Sequence, residues 1–369
     1  MKWSLLIAKI SGIKIYLHWT FSILLIWVVF LQGQQGAGWN DTLISLAFVV
    51  TIFACVVLHE LGHALTAKRY NITTKDIILL PIGGLARLEK IPEKPRQEFW
   101  VALAGPAVNI FIAVIIFSLI FFINPGSLEN QLSNFEKVTL DNFLASLFFV
   151  NIFIALFNLI PAFPMDGGRV FRALLSMQIG RLKATQIAAS LGQMLAIVFA
   201  LAGLFFNPFL VLIAIFVYLG AQYELEQVKY KSALSDYKVS DITMHHFTKL
   251  SVSDSLSEAV KQLLDGQEKE FIVTDNDVTS GILTRDIIIK SLSQNNLSTP
   301  IGEVMKRDIE PLSPDDALSS VLEKMQKDKL SVYPVEDRGK LVGMIDQENI
   351  LEFIMIQNVL DGKSKVAVT

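Results

Sequence analysis

Long apolar runs fill the chain as far as about Tyr223, and they constrain its fold more than any other feature. A helix needs about 20 mainly apolar residues to cross the hydrocarbon core of a bilayer. Six runs approach that length: Ile15–Leu31, Leu43–Leu65, Phe99–Ile123, Phe143–Ile160, Thr185–Phe206 and Phe209–Tyr223. We therefore predict a polytopic α-helical membrane domain of about six transmembrane helices, with the last two forming a tight hairpin.

The sequence changes character after Tyr223, where charged residues become frequent and no run of spanning length follows. This change predicts a membrane domain at 1–225, a linker at 226–240, a soluble domain at 241–360 and a disordered tail at 361–369. Basic residues precede the first run and resemble the start of a signal peptide. No small-residue cleavage site follows them, so we expect the first run to be retained as a helix.

Composition supports a membrane protein and excludes several other classes. Charged residues make up 18% of the chain, whereas soluble domains contain about 25%. A net charge of -3 gives no reason to expect a nucleic-acid partner. The single cysteine, Cys55, excludes an internal disulfide framework and a cysteine-rich metal cluster.

The lysines and arginines predict the orientation in the membrane. When successive runs are placed on alternate sides, one side receives the basic residues of 2–14, 68–96 and 169–183 and the whole soluble domain. The other side receives only Lys137. Because short cytoplasmic loops are enriched in lysine and arginine, we predict a multi-pass cell-membrane protein with both termini and the soluble domain in the cytoplasm.

The second apolar run ends in His59-Glu60-Leu61-Gly62-His63. Residues four apart lie on one face of a helix, so the two imidazoles can hold one zinc ion, with Glu60 placed to accept a proton from water. A pattern of three fixed positions can also arise by chance. Ionisable groups are costly inside a membrane span, and three of them within five residues favour a functional metal site.

A catalytic zinc needs a third protein ligand, and Asp166 is the best candidate. It follows the fourth apolar run, which Pro161 and Pro164 end, and it precedes the pair Gly167-Gly168, which lets the backbone turn sharply. The predicted topology brings the ends of the second and fourth runs to the same membrane face. The alternative is an aspartate that only caps the following helix.

Two further features near these residues suggest contacts with a substrate. Asn158 could donate a hydrogen bond to an oxyanion or to a substrate backbone, or it could bond to a neighbouring helix. The segment Asp76–Glu89 is apolar, too short to span, and broken by Gly83 and Gly84. We expect a strand–turn or re-entrant element there, with an edge that either pairs with an unwound substrate or serves only as structure.

The soluble domain contains an internal repeat with a spacing of 61 to 62 residues. Equivalent positions carry the same residue types: Met244 and Met305, Val273 and Val335, and Gly281 and Gly343. The copies are 241–296 and 297–360, and each predicts a helix, two short strands and a second helix. Ser255 and Glu258 suit a capping box at the first of these helices.

These features resemble a known family. HELGH in an apolar run, followed about a hundred residues later by Asn158-Leu-Ile-Pro-Ala-Phe-Pro-Met-Asp166-Gly-Gly-Arg169, resembles the site-2 protease family of intramembrane metalloproteases. The repeat resembles a pair of cystathionine-beta-synthase-type (CBS) domains. Together they resemble the prokaryotic branch with C-terminal CBS domains, and the segments at 12–20 and 104–109 are also similar to this branch.

The resemblance implies an activity and a cofactor. It implies one zinc ion per chain, held by His59, His63 and Asp166, with Glu60 as the catalytic base. The implied reaction is hydrolysis of peptide bonds in or near transmembrane segments of a membrane-protein substrate, in regulated intramembrane proteolysis. The CBS pair would be a cytoplasmic regulatory domain and could join two copies of the chain as a homodimer.

CBS pairs often bind adenine nucleotides, and this sequence departs from the usual pattern. In the first copy, Thr284 occupies the phosphate position, while the acid Asp286 falls one position early. In the second copy, Asn349 suits the ribose position, but Asp346 replaces the expected hydroxyl and would repel phosphate. We expect one of the two sites to be lost or to favour an uncharged ligand. Nucleotide binding at Thr284, Asp286 and Asn349 is therefore one hypothesis, and a scaffolding and dimerisation role is the other.

Two other functions fit parts of the pattern. A CBS-regulated transporter would spread its intramembrane charges along a path across the bilayer, whereas the polar residues here cluster near one face. A receptor that binds transmembrane segments without cutting them would be expected to lack the catalytic base, and Glu60 is present. The pattern therefore favours the protease.

Overall fold

The computed structural model describes residues 4–81, 83–88, 92–123, 137–266, 268–276, 278–294 and 296–366. The chain forms two compact units, divided between Val228 and Lys229. The first unit contains the apolar runs, and the second contains the repeat.

Seven helices of the first unit lie within the described residues. They are α1 (Phe21–Gln34), α2 (Trp39–Lys68), α3 (Pro95–Ile123), α4 (Phe143–Asn158), α5 (Asp166–Ile179), α6 (Arg181–Phe205) and α7 (Phe209–Ala233). Helices α2, α3, α6 and α7 are long and apolar enough to cross a membrane. Four spanning helices are therefore supported directly.

Helices α1 and α4 are apolar but short. They contain 14 and 16 residues, which at 1.5 Å per residue is about 21 and 24 Å, less than the roughly 30 Å hydrocarbon core. The predicted membrane domain is thus consistent with the structure, while the number of six spanning helices stays a prediction.

A four-stranded sheet accompanies these helices in the first unit. Its strands are β1 (Ser4–Ile10), β2 (Ile13–His18), β3 (Thr74–Leu80) and β4 (Gly83–Leu88), in the order β1-β2-β3-β4. The β1–β2 and β3–β4 pairs are antiparallel, and β2 runs parallel to β3. The strand–turn expected within 76–89 is confirmed by the β3–β4 hairpin.

The prediction of a helix over Ile15–Leu31 is wrong at its start. Strand β2 occupies residues up to His18, and α1 begins only at Phe21. Ile13 and Ile15 are buried while Lys14 between them is exposed, so burial alternates with the period of a strand where the chain enters the run. Its apolar composition hid that alternation.

The sheet packs on the C-terminal half of α2. Ile13, Ile15 and Ile77 form one apolar cluster with Leu61 and Ala64 of that helix. The contact places the last strand of the sheet, β4, beside α2. Helix α3 completes the centre of the unit by packing against α2, α4 and α5.

Helices α6 and α7 form the predicted tight hairpin, joined by residues 206–208. A Cβ on Gly203 would lie 2.6 Å from Val211 Cγ2, so the glycine allows the two helices to approach closely. Helix α7 continues past the expected end at Tyr223 to Ala233, within the expected linker at 226–240. The charged residues that follow Tyr223 end the apolar pattern, but they are good helix formers and do not end the helix.

The second unit contains the two predicted copies. The first has β5 (Lys249–Ser251), α8 (Leu256–Asp265), β6 (Glu270–Asp275), β7 (Val278–Thr284) and α9 (Arg285–Leu292). The second begins with α10 (Ile301–Val304) and has α11 (Leu318–Asp328), β8 (Val332–Asp337), β9 (Lys340–Asp346) and α12 (Gln347–Val366). The Ser255 side chain accepts a hydrogen bond from Glu258 N, as expected for the helix cap.

The repeat glycines explain how the copies interlock. Ile282, next to Gly281, pairs with Lys306, and Met344, next to Gly343, pairs with Met244. A Cβ on Gly281 would lie 2.5 Å from the Lys306 carbonyl oxygen, and one on Gly343 would lie 2.6 Å from that of Met244. Each glycine therefore makes room for the leading segment of the other copy.

The end of the chain differs from the expectation of a disordered tail at 361–369. Helix α12, the second helix of the second copy, is continuous from Gln347 to Val366. Residues 367–369 lie outside the described residues.

Candidate metal centre

Helix α2 presents His59 and His63 on one face. Their Nε2 atoms lie 3.1 Å apart, and both side chains are buried. This is the geometry that residues four apart in a helix predict.

Asp166 reaches the two imidazoles from a separate part of the chain. Helix α4 ends at Asn158, and Asp166 is the first residue of α5. Its Oδ2 atom lies 3.2 Å from His59 Nε2 and 3.1 Å from His63 Nε2. The structure therefore brings the three predicted ligands together.

The three donor atoms suit a zinc ion. Zinc binds imidazole nitrogen and carboxylate oxygen at about 2.0–2.2 Å in a tetrahedral arrangement, which separates its ligands by about 3.3 Å. The three separations here are 3.1, 3.1 and 3.2 Å. Two histidines and one carboxylate also match a catalytic zinc site, which keeps a fourth position open.

Gly105 of α3 keeps the space between the donors open. A Cβ on Gly105 would lie 2.6 Å from His59 Nε2 and even closer to His63 Nε2. Such distances are close to metal–ligand bond lengths, so the added carbon would occupy the place of the metal. Only glycine leaves that place free.

The glycine pair after Asp166 has a different role from the one predicted. Neither Gly167 nor Gly168 is among the residues with positive φ, so a sharp turn is not the reason for them. A Cβ on Gly168 would lie 2.6 Å from the Ala162 carbonyl carbon, and one on Gly167 would overlap the backbone of Leu159 and Ile160. The pair allows α5 to begin directly against the segment that follows α4.

Glu60 lies next to β4. Its Oε2 atom accepts a hydrogen bond from Ala86 N at 3.2 Å. A Cβ on Gly84 would lie 2.7 Å from Glu60 Cγ, so the glycine lets the strand come close to the carboxylate. The predicted base and the predicted substrate edge, Gly83-Gly84, are therefore neighbours.

Each histidine ring also has a partner at its Nδ1 atom, on the side of the ring away from Nε2. His63 Nδ1 lies 2.7 Å from the carbonyl oxygen of Val101, and His59 Nδ1 lies 2.5 Å from Asn109 Oδ1. Such outer partners orient metal-binding imidazoles and determine which nitrogen carries the proton.

The side chain of Asn158 is hydrogen-bonded within its own helix and not to His59, His63 or Asp166. Its Nδ2 atom donates to the Ile154 carbonyl oxygen within α4, at 3.0 Å. An oxyanion contact from this side chain would need another rotamer, and that role stays a prediction.

A buried cluster of charges anchors the helix that carries Asp166. Arg172 of α5 is fully buried and donates to Glu98 of α3 at 2.7 Å and to Glu224 of α7 at 3.2 Å. Arg169 pairs with Glu224 at 2.7 Å, and Arg181 with Glu98 at 3.2 Å. Removing one member of a buried pair costs about 3–5 kcal/mol, so the cluster fixes α5 against α3 and α7.

The second unit contains a separate cavity of about 500 Å³, lined by residues of both copies of the repeat. Its lining includes Thr284 and Asp286, as predicted for a nucleotide site, and it is rich in charged side chains. The basic residues are Lys269, Arg285, Lys306 and Lys329, and the acidic residues are Glu270, Asp286 and Glu348.

Thr284 and Asp346 have equivalent roles in the two copies. Thr284 Oγ1 accepts from Ile287 N at 3.3 Å, and Asp346 Oδ1 accepts from Asn349 N at 2.7 Å. Each side chain caps the second helix of its copy, which explains why a carboxylate can replace the hydroxyl. Asn349 Oδ1 is buried and has no hydrogen-bond partner among the described residues.

Glu270 is a buried acceptor in the cavity wall. Its Oε1 atom accepts from Ser331 Oγ at 2.6 Å, and its Oε2 atom has no partner among the described residues. Burial raises the pKa of the Glu270 carboxyl; the hydrogen bond from Ser331 opposes this shift, and the carboxylates of Asp346 and Asp286 add to it.

Sequence reasoning missed Gly105, Asn109 and the partners of Arg172. The only signal was the segment 104–109, which resembles the family but has no chemistry of its own. Glu98 and Arg172 are 74 residues apart, and nothing local in the sequence pairs them.

We expect Gly105→Ala to abolish zinc binding by the purified protein, because its methyl group would occupy the metal position. Alanine favours a helix over glycine by about 1 kcal/mol, so helix loss would not explain the effect. Gly33→Ala adds the same methyl group where nothing lies within 4 Å, and it should retain zinc. Metal content by mass spectrometry provides the comparison, and full occupancy in Gly105→Ala would exclude this placement of the metal.

Comparison with known proteins gives likenesses along nearly the whole chain. The family model of peptidase family M50 matches residues 47–199, and that of the CBS domain matches residues 239–294 and 301–356. Zinc metalloprotease MJ0392 of Methanocaldococcus jannaschii is 32% identical over 359 residues, which cover 96% of this chain and 97% of that protein.

Two further similar proteins were found. The Synechocystis protein sll0528 is 26% identical over 368 residues, covering 94% of each chain. The structure of a site-2 protease from Methanocaldococcus jannaschii is 37% identical in sequence and covers 60% of this chain and 95% of that one, with a TM-score of 0.45.

The match to MJ0392 extends through both the apolar unit and the repeat, and it confirms the family resemblance. The chain belongs to peptidase family M50, the site-2 protease family, and is a zinc metalloprotease with a C-terminal CBS pair.

Proposed function

We propose that this metalloprotease hydrolyses peptide bonds in or next to transmembrane segments of other membrane proteins. His59, His63 and Asp166 would hold the zinc ion, and Glu60 would be the general base. The observation that carries the proposal is the buried triangle of three donor atoms, 3.1–3.2 Å apart. Two of those donors lie on a helix long and apolar enough to cross a bilayer.

The reaction divides between the metal and the protein. When bound, zinc supplies a Lewis acid that polarises the scissile carbonyl and makes water a nucleophile at neutral pH. Glu60 takes one proton from the attacking water and later gives it to the leaving amide nitrogen. The Glu60 carboxylate is held beside β4 by Ala86 N, so a peptide on that side of the site would place its carbonyl near the base.

We expect Glu60→Gln to retain zinc and lose cleavage, because glutamine keeps the shape of the side chain but cannot take the proton. Asp166→Asn should lower zinc occupancy by weakening the third ligand. Both are measured on purified protein, with a reconstituted single-span substrate and metal analysis. Asp265→Asn, at the exposed end of α8, is the control and should retain both zinc and basal cleavage.

Full cleavage by Glu60→Gln would contradict the mechanism. Unchanged zinc occupancy in Asp166→Asn would remove Asp166 from the ligand set.

The strand β4 is proposed to hold the substrate segment. It forms one edge of the sheet, and Ala86 N points away from β3 towards Glu60. Because backbone groups alternate along a strand, Gly84 N faces the same way. A substrate helix hides its carbonyls in its own hydrogen bonds, so an unwound segment paired with this edge would expose a carbonyl beside Glu60.

Disulfide cross-linking tests this edge. In the Glu60→Gln protein, a cysteine at Arg87 of β4 should cross-link to substrates that carry single cysteines around the cleaved bond. A cysteine at Leu5, on the opposite edge strand β1, is the matched control and should not. Equal cross-linking at both edges would argue against a substrate strand at β4.

The CBS pair is proposed to bind an adenine nucleotide in its 500 Å³ cavity. The lysines and Arg285 in the lining suit phosphate groups, and Asp286 lines the same space. The free acceptor of Glu270 suits a donor on the ligand, such as a ribose hydroxyl or the adenine amino group. Scaffolding and homodimer formation are the alternative role for this domain.

Binding of AMP should weaken as the pH falls through the raised pKa of Glu270, because protonation removes the acceptor. Above that pKa, Glu270 is ionised and binding is fullest. Isothermal titration of the full-length protein from pH 8 to pH 5 should show this dependence. Glu270→Gln should remove the part of this dependence that exceeds the titration of the AMP phosphate itself, whose second pKa is about 6, while Glu348→Gln, in the same lining, should keep it. Failure of AMP to bind at any pH would leave the scaffolding role.

The orientation in the membrane also remains part of the proposal. Both termini and the CBS pair are proposed to lie in the cytoplasm, on the side of Lys68 and Arg69 at the end of α2. The basic residues around that end of the helix support this orientation.

A further inference from the structure

A line of buried hydrogen bonds leads from His59 away from the metal donors. His59 Nδ1 lies 2.5 Å from Asn109 Oδ1, and Asn109 Nδ2 donates to Asn151 Oδ1 at 2.8 Å. Asn151 Nδ2 donates to the carbonyl oxygen of Leu147 at 2.9 Å. Both asparagines are fully buried, Asn109 on α3 and Asn151 on α4.

The direction of every bond in this line follows from its last member. The Leu147 carbonyl oxygen can only accept, so Asn151 must turn its NH₂ group towards it. The Asn151 oxygen then faces Asn109 and requires the NH₂ group of that residue. Rotating either amide would place two acceptors or two donors against each other in a dry interior, which is costly.

The line therefore determines the tautomer of His59. With its NH₂ group bound to Asn151, Asn109 presents its oxygen to His59 Nδ1, which must then carry the ring proton. A neutral imidazole has one N–H and one lone pair, so the lone pair is on Nε2, the atom that faces His63 and Asp166.

We propose that Asn109 and Asn151 are positioning residues that hold His59 in the tautomer required to bind zinc. This proposal rests on the proposed role of His59 as a ligand. His63 obtains the same result directly from the backbone carbonyl of Val101. Zinc binding through His59 is thus sensitive to side-chain substitution two helices away, and zinc binding through His63 is not.

The alternative role for the two asparagines is to join helices α3 and α4, since polar side chains commonly link helices in membranes. The two roles differ in what Asn109 must offer. Joining the helices needs its NH₂ group, which bonds to Asn151, while positioning His59 needs its oxygen. Aspartate keeps an acceptor towards His59 but places a second acceptor against Asn151.

The test compares Asn109→Asp with Asn109→Leu in the full-length protein, with Zn²⁺ affinity measured by chelator competition. Outer partners of metal ligands typically contribute 10- to 100-fold in affinity, so we expect Asn109→Leu to lose about that factor. Asn109→Asp should stay within a few fold of the unsubstituted protein. Cys55→Ala, which removes only a weak contact of Asn151 at 3.6 Å, is the control and should bind zinc normally.

Equal losses in Asn109→Asp and Asn109→Leu, or no loss in Asn109→Leu, would overturn the proposal. Histidine-labelled protein gives a second readout, because the ¹⁵N shifts of the zinc-loaded form should show a proton on His59 Nδ1. His59→Ala separates this proposal from the proposed function. Retained zinc affinity there would remove His59 as a ligand, whereas its loss together with normal affinity in Asn109→Leu would reject only the positioning role.

Discussion

The donor atoms of two imidazoles and a carboxylate lie close together inside an apolar helical unit, and the surrounding structure holds them in place. Ionisable groups in such a place are costly unless they are paired. Each one here has partners: His59 has Asn109, His63 has a backbone carbonyl, and Asp166 has both rings. The sheet holds β4 beside Glu60, and the buried arginines hold α5, so both sides of the candidate metal site are fixed to α2 or α3.

Much of this site could be predicted from the sequence because its signals are local or periodic. The spacing of His59 and His63 follows from the helical repeat alone. Asp166 is predicted from the segment that follows the fourth apolar run, and the predicted topology supports it independently. The structure places its carboxylate against both rings. The CBS copies were visible because equivalent glycines recur at a fixed spacing, and the structure explains those glycines by the close approach of the other copy.

The remaining features depend on contacts that a sequence does not display. The strand Ile13–His18 overlaps the start of an apolar run, and apolar composition is common to buried strands and buried helices. The need for glycine at position 105 arises only from His59 and His63, which lie opposite it on α2. Three arginines that were used to assign the cytoplasmic side, Arg169, Arg172 and Arg181, lie in ion pairs with Glu98 and Glu224. Their positions therefore also reflect packing.

The pairing of Glu98 with Arg172 has a consequence for biogenesis. Glu98 leaves the ribosome 74 residues before its partner, a delay of about 4–15 seconds at roughly 5–20 residues per second. An unpaired carboxylate is costly in hydrocarbon, so during that time the water boundary is the favoured place for this end of α3. The pairing of Glu98 therefore waits for the arrival of α5, and Asp166, the first residue of that helix, enters the unit together with the charge that neutralises Glu98.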